Sequence, residues 1–134
     1  MDDNLSKEDG IFMCGNVLHV HDLVDNVTLE SFEAGKNAAL YALNTLDTSA
    51  NKVAVKFDDK ISYVLPNSIV LGGGDTTLRF RVKQKQENVK FRVETLSGKT
   101  IKEQKFLAIN SGEMQSITFN KSEIDSPITL KVVN

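Results

Sequence analysis

His19-Val20-His21-Asp22 is the first stretch of the chain whose residue types could carry chemistry. In an extended segment, residues i and i+2 face the same way, so both imidazoles could reach one metal ion. An ion needs a third and a fourth ligand. Asp22 faces elsewhere, and the chain has only two histidines. The reading is therefore two loop histidines held by hydrogen bonds, with no metal expected. Cys14 is the single cysteine. It closes the apolar run Ile11–Cys14, where a thiol packs; a nucleophile needs an exposed thiolate beside a base. Gly72-Gly73-Gly74 could cradle a phosphate only if it led into a helix N-terminus. It leads into Thr76-Thr77-Leu78-Arg79-Phe80, a strand pattern, so it reads as a turn. The Gly15-Asn16 step is different. It follows a short apolar run and precedes a loop and a helix, an order that in α/β sheets presents a polar side chain and free helix amides to an anionic or electron-rich ligand.

Two kinds of element must position these residues. Leu29, Phe32, Ala39, Leu40, Leu43 and Leu46 recur at helical spacing, which predicts a helix over Leu29–Leu46 with one apolar stripe. Asp25, Asn26 and Thr28 are each candidates for its N-cap. Ile11–Cys14 reads as a strand buried on both faces, as in a parallel sheet. Asp47-Thr48-Ser49-Ala50-Asn51 reads as a polar linker. Beyond it the period changes to two. Val53–Phe57, Ile61–Leu65, Ile69–Leu71, Leu78–Val82, Val89–Glu94, Thr100–Ala108, Ser116–Phe119 and Ile128–Val133 are strand-like. Turn signals separate them, among them Leu96-Ser97-Gly98-Lys99 and Asn110-Ser111-Gly112-Glu113. This predicts an antiparallel β-sandwich, immunoglobulin- or fibronectin-like, over residues 52–134. Its core is predicted from Leu78, Phe80, Val82, Val89, Phe91, Val93, Ile101, Ile117, Phe119, Leu130 and Val132. Arg79, Arg81 and Lys83 fall on the opposite face and read as solvated.

Composition fits this division. The 134 residues carry a formal charge of −2, with 40% hydrophobic and 25% charged side chains, a globular balance. Residues 1–50 hold nine acidic and two basic side chains, a net −7; residues 51–134 hold nine and fourteen, a net +5. Two readings fit this: the parts attract each other, within the limits of screening, or they are two ordinary solvated surfaces of different composition. Net acidity and the lack of interleaved aromatics argue against nucleic acid. The apolar runs are too short to span a bilayer. A lone cysteine and an acidic start predict a cytoplasmic protein.

The run from Gly10 to Thr28, followed by Glu33-Ala34-Gly35-Lys36-Asn37-Ala38-Ala39, resembles the second flavin-binding motif of FAD-dependent pyridine nucleotide oxidoreductases, the superfamily that includes thioredoxin reductase. There a strand ends in Gly-Ile/Val-Phe-x-x-Gly-Asp, and here the acidic position is Asn16. The insert Val17–Asp25 resembles that of a bacterial flavoprotein branch. The likeness covers residues 2–46. It implies that Gly15, Asn16, Val27 and Thr28 are FAD-binding, and that residues 1–48 are the C-terminal piece of an FAD-binding α/β domain: strand, loop, helix. The superfamily's first motif, Gly-x-Gly-x-x-Gly, is absent from this chain. The resemblance thus implies a fragment of an FAD- and NAD(P)-linked oxidoreductase, catalytically incompetent and binding no FAD alone. The other reading is a non-catalytic interaction or oligomerisation module. An apolar helix stripe without its parent sheet predicts a homo-oligomer formed through residues 1–48.

Overall fold

The computed structural model describes residues 1–46 and 51–133. The expected linker and the boundary between 48 and 52 lie largely outside the described residues. The molecule is mainly β. Among the described residues, no helix is long and apolar enough to cross a membrane.

The first region is a hairpin, a loop and a helix. Strands β1 (Ser6–Glu8) and β2 (Ile11–Phe12) pair antiparallel around Asp9-Gly10. Gly10 takes φ +82°, and a Cβ there would sit 3.2 Å from the Tyr41 ring, so glycine serves both the turn and the helix contact. A 3-10 turn (Gly15–Val17) follows, then α1 (Val24–Ala42).

Two expectations fail here, those for the strand and the N-cap, while the helix stripe lies uncovered. Ile11–Cys14 is not a buried parallel strand. Only Ile11 and Phe12 are extended, their one partner is β1, and Ile11 is exposed. The helix starts at Val24, so Asp25, Asn26 and Thr28 are inside it. Its N-cap, Leu23, offers no side-chain bond. The predicted stripe does not face inward: Leu29, Phe32 and Leu43 are 63%, 74% and 71% exposed. The buried line is Glu30, Ala34 and Asn37, continued by half-buried Tyr41, again at helical spacing. Polar partners select that face. Asn37 Nδ2 donates to the Asn4 carbonyl at 3.0 Å, Phe12 meets Tyr41 edge-on, and Glu30 draws the histidine loop.

The second region follows its alternation closely. Strands β3 (Lys52–Phe57), β4 (Ile61–Leu65), β5 (Ser68–Val70), β6 (Asp75–Val82), β7 (Gln86–Thr95), β8 (Thr100–Ile109), β9 (Gln115–Asn120) and β10 (Ile128–Val133) match all eight expected segments. They form a five-stranded sheet, β5-β3-β10-β7-β8, and a three-stranded sheet, β4-β6-β9. One core joins them. Phe80 of β6 lies 4.8 Å from Phe91 of β7, ring centre to ring centre, and Phe106 of β8 stands edge-on to both. Every predicted core residue is in this core or packed against it, Ile101 and Val132 at its margin. Pairing is not wholly antiparallel, because β3 runs parallel to β10. The two are the first and last strands of the region, joined through all the others, so no hairpin constrains their direction.

Acidic side chains of the first region meet basic ones of the second, the first of the two readings of the charge division. Asp2 lies 2.8 Å from Lys52 Nζ and Asp3 2.6 Å from Lys121 Nζ. The Met1 carbonyl accepts from the Asn67 and Ser68 amides. Arg81 is not a solvated strand residue. Its side chain is largely buried, and its guanidinium donates to the Val20 carbonyl, Asp22 Oδ1, Tyr63 Oη and the Gly112 carbonyl.

Candidate functional site

A buried polar cluster surrounds Glu30. This carboxylate is fully buried on α1. His19 Nε2 lies 2.9 Å from Oε1, His21 Nε2 lies 2.7 Å from Oε2, and the Gly15 amide donates to Oε2 at 2.7 Å. The two imidazoles do share a side, as their i, i+2 spacing predicts, with ring centres 4.4 Å apart. Both of their Nδ1 atoms are buried without a partner.

Electrostatics follows from the donors. Burial pushes the Glu30 carboxyl up, but hydrogen bonds from His21, His19 and the Gly15 amide outweigh it and leave the group below the ordinary carboxylate range. Burial lowers His19 below the ordinary histidine value of 6.5, and the Glu30 bond only partly offsets this. The result is an ionised carboxylate facing an imidazole that resists protonation. Nearby, the Met114 amide and then Arg81 hold Asp22 below its usual range.

The loop between Gly15 and Leu23 is thus tied at both ends. Glu30 holds it to the helix, and Arg81, with the Met114 amide bound to Asp22, holds it to the turn between β8 and β9 and to β6. Tyr63 stands edge-on to His19. Leu18, His19, Val20, Tyr63, Leu65 and Arg81 line a cleft of about 470 Å³ between loop and sheet.

The residues expected to touch FAD have distinct placements. Gly15 and Asn16 begin the 3-10 turn. Gly15 takes φ +69°. Asn16 is exposed, and its side chain makes no hydrogen bond among the described residues. Val27 is half-buried in the first turn of α1. Thr28 begins the second turn and spends its hydroxyl on the Val24 carbonyl. Glu30, not Val27 or Thr28, connects Gly15 to the helix. Sequence reasoning missed Glu30. The available signal was a carboxylate on a helix eleven residues after His19, within reach of a His-x-His pair. Cys14 is half-buried and free. Gly72–Gly74 joins β5 to β6 as the expected turn.

No family model, curated protein or solved structure matches the chain.

Proposed function

We propose that this chain is the C-terminal part of an FAD- and NAD(P)-linked oxidoreductase. In this reading Gly15, Asn16, Val27 and Thr28 line the flavin of the complete enzyme. The chain alone is not catalytically competent. Residues 52–134 form a largely antiparallel, immunoglobulin- or fibronectin-like sandwich that takes no part in the chemistry.

One observation carries the reading. The Gly15-Asn16 turn is rigidly held from behind by Glu30, yet its outward side is bare. Asn16 offers an unpaired amide beside exposed Val17, Val20, Leu23 and Val24. An exposed polar group on a fixed turn with an apolar surround is half of a ligand site. Asn16 can donate to or accept from a ribityl hydroxyl. The amides of Val24 and Asp25, at the start of the first turn, lie outside the helical ladder and suit an electron-rich edge, whereas the Asn26 amide is spent on the Leu23 carbonyl. The fit is partial. Thr28 has its hydroxyl engaged, and the glycine turn that would approach the pyrophosphate is not in this chain. When bound, FAD would supply the hydride chemistry; these residues would orient it and exclude water.

The experiment is complementation. The reading frame upstream of Met1 is examined for an in-frame Gly-x-Gly-x-x-Gly, and that segment is co-produced with this chain. A yellow complex with one flavin per pair, lost on Asn16→Leu, is the expected result. A colourless pair, or no such motif upstream, overturns the reading. The alternative, a non-catalytic interaction module, draws support from the closed core of the β region and from the ion pairs that fasten residues 1–22 to it.

A further inference from the structure

We propose that His19, His21 and Glu30 form a site for one divalent transition-metal ion of the zinc class. The inference does not depend on the flavin reading.

The histidine pair lacked a third ligand, and α1 supplies it. One donor atom from each of the three side chains lies within 4.8 Å of the others. Ligands bonded to zinc at about 2.0–2.2 Å stand roughly 3.0–3.5 Å from one another. The His–Glu separations of 2.9 and 2.7 Å are a few tenths of an ångström short of that, so small side-chain rotations suit these two pairs, while the two imidazole donors, within 4.8 Å of each other, close up around the ion. Two imidazoles and one carboxylate are the donor set of open zinc and ferrous sites. To bind the ion through Nε2, each ring would hold its proton on Nδ1, a tautomer shift in which a neutral imidazole neither gains nor loses a proton overall.

The surroundings fit a site better than a mere latch. The three side chains are almost wholly buried. Each imidazole spends its one hydrogen bond through Nε2 on Glu30, so the nitrogens and carboxylate oxygens that would hold an ion already converge on one point. The Gly15 amide on Oε2 orients the carboxylate from behind, as outer-shell donors do in metal sites. His19 lines the cleft of about 470 Å³, which offers an entry path and room for a solvent ligand. Arg81 on this cleft and Arg79 beside His19 oppose a cation, while Glu30 and Asp22 favour one. The affinity should therefore fall short of that of closed structural zinc sites.

The test uses the untagged full chain, stripped with chelator and titrated with Co²⁺ at neutral pH. The expected result is one equivalent bound, with a visible ligand-field spectrum erased by added Zn²⁺. Zn²⁺ should also shift the His19 and His21 imidazole resonances in the wild-type protein, a readout that needs no variant. His21→Ala and Glu30→Gln should abolish the spectrum while the amide dispersion of residues 51–133 persists. Cys14→Ser should leave it intact. Absence of saturable binding, or binding that survives His21→Ala, overturns the proposal. So does a thiolate-to-cobalt band that Cys14→Ser removes, because it would put the ion on the cysteine.

Discussion

Residues 1–46 and 51–133 are held together by different forces. The β region buries aliphatic and aromatic side chains in one continuous core, and its only buried polar residues are Thr76 and Thr95. The first region buries Asp2, His19, Glu30 and Asn37, and leaves most of its large apolar side chains outside. Eight of the eleven exposed large hydrophobics are in it. Non-directional burial organises one part, and directional bonds to a few charged or polar groups organise the other. The first kind tolerates small shifts in geometry. The second fails when one partner is lost, because the remaining groups stay buried without compensation. Substitutions in the two regions should therefore differ in reach as well as in size.

Phe91→Ala should have the largest effect. Phe91 is fully buried where the two sheets meet. Truncation should cost about 3–5 kcal/mol, read as a lower urea midpoint for the whole β region. Deleting residues 1–46 should leave that region folded, because its core contains no residue from them. An unfolded deletion product, by circular dichroism and amide dispersion, would show that the core does not stand alone.

Glu30→Ala comes next, at about 2–3 kcal/mol for the three charge-assisted bonds it removes. The loss should be local. Hydrogen exchange at the Gly15 amide should accelerate while the strand amides of Phe80 and Phe91 keep their protection. Acidification of metal-free protein should act alike. Glu30 has a depressed folded value, so its stabilisation is present above the unfolded carboxylate value and is lost as pH falls through the folded one. His19 is also lowered, so the open state takes up its proton first as pH drops below 6.5. Both groups favour loop opening in acid. Gly15 exchange, corrected for its intrinsic pH dependence, should report it; a flat profile would count against the Glu30 cluster as the loop's fastening.

Arg81→Met should cost less, about 1–2 kcal/mol, since its bonds lie partly in solvent. It tests whether the two regions are coupled. The expected outcome is faster exchange at both the Met114 amide and the Gly15–Leu23 loop. If Met114 alone responds, Glu30 suffices to hold the loop.

What could be read from the sequence follows the same division. Period-two alternation locates all eight strands of the β region, because a two-sided sheet imposes the pattern that an apolar core needs. The parallel β3–β10 pair was not legible, since the relative direction of two strands so far apart in sequence leaves no local mark. In the first region the helix was legible but its buried face was not. Apolar spacing points to Leu29, Phe32 and Leu43, whereas bonding to Gly15, His19, His21 and Asn4 selects Glu30 and Asn37. Period analysis weighs hydrophobicity and gives a charged residue no claim on the interior. The shared side of His19 and His21 was readable from spacing alone; their partner, on another element, was not. Arg81 looked solvated because strand alternation says which face a residue takes and nothing about what covers that face.

The smallest expected effect on stability is the most informative about the exposed stripe. Leu29→Lys with Phe32→Lys changes two side chains that are mostly in water, so monomer stability should move by no more than about 0.5 kcal/mol. Association should respond much more. The stripe, with Leu43 further along α1 and Val24 at its start, is an apolar surface of the kind that marks a contact site. If the chain forms a homo-oligomer through residues 1–48, light scattering across a dilution series should show a dimer in the wild type and a monomer in the double variant, with urea midpoints nearly equal. A wild-type protein that is already monomeric at high concentration removes the self-association idea and leaves the stripe for another polypeptide. In that case the co-produced upstream segment should bind the wild type, and the double lysine variant should weaken that binding without disturbing the Glu30 cluster on the opposite face of the helix.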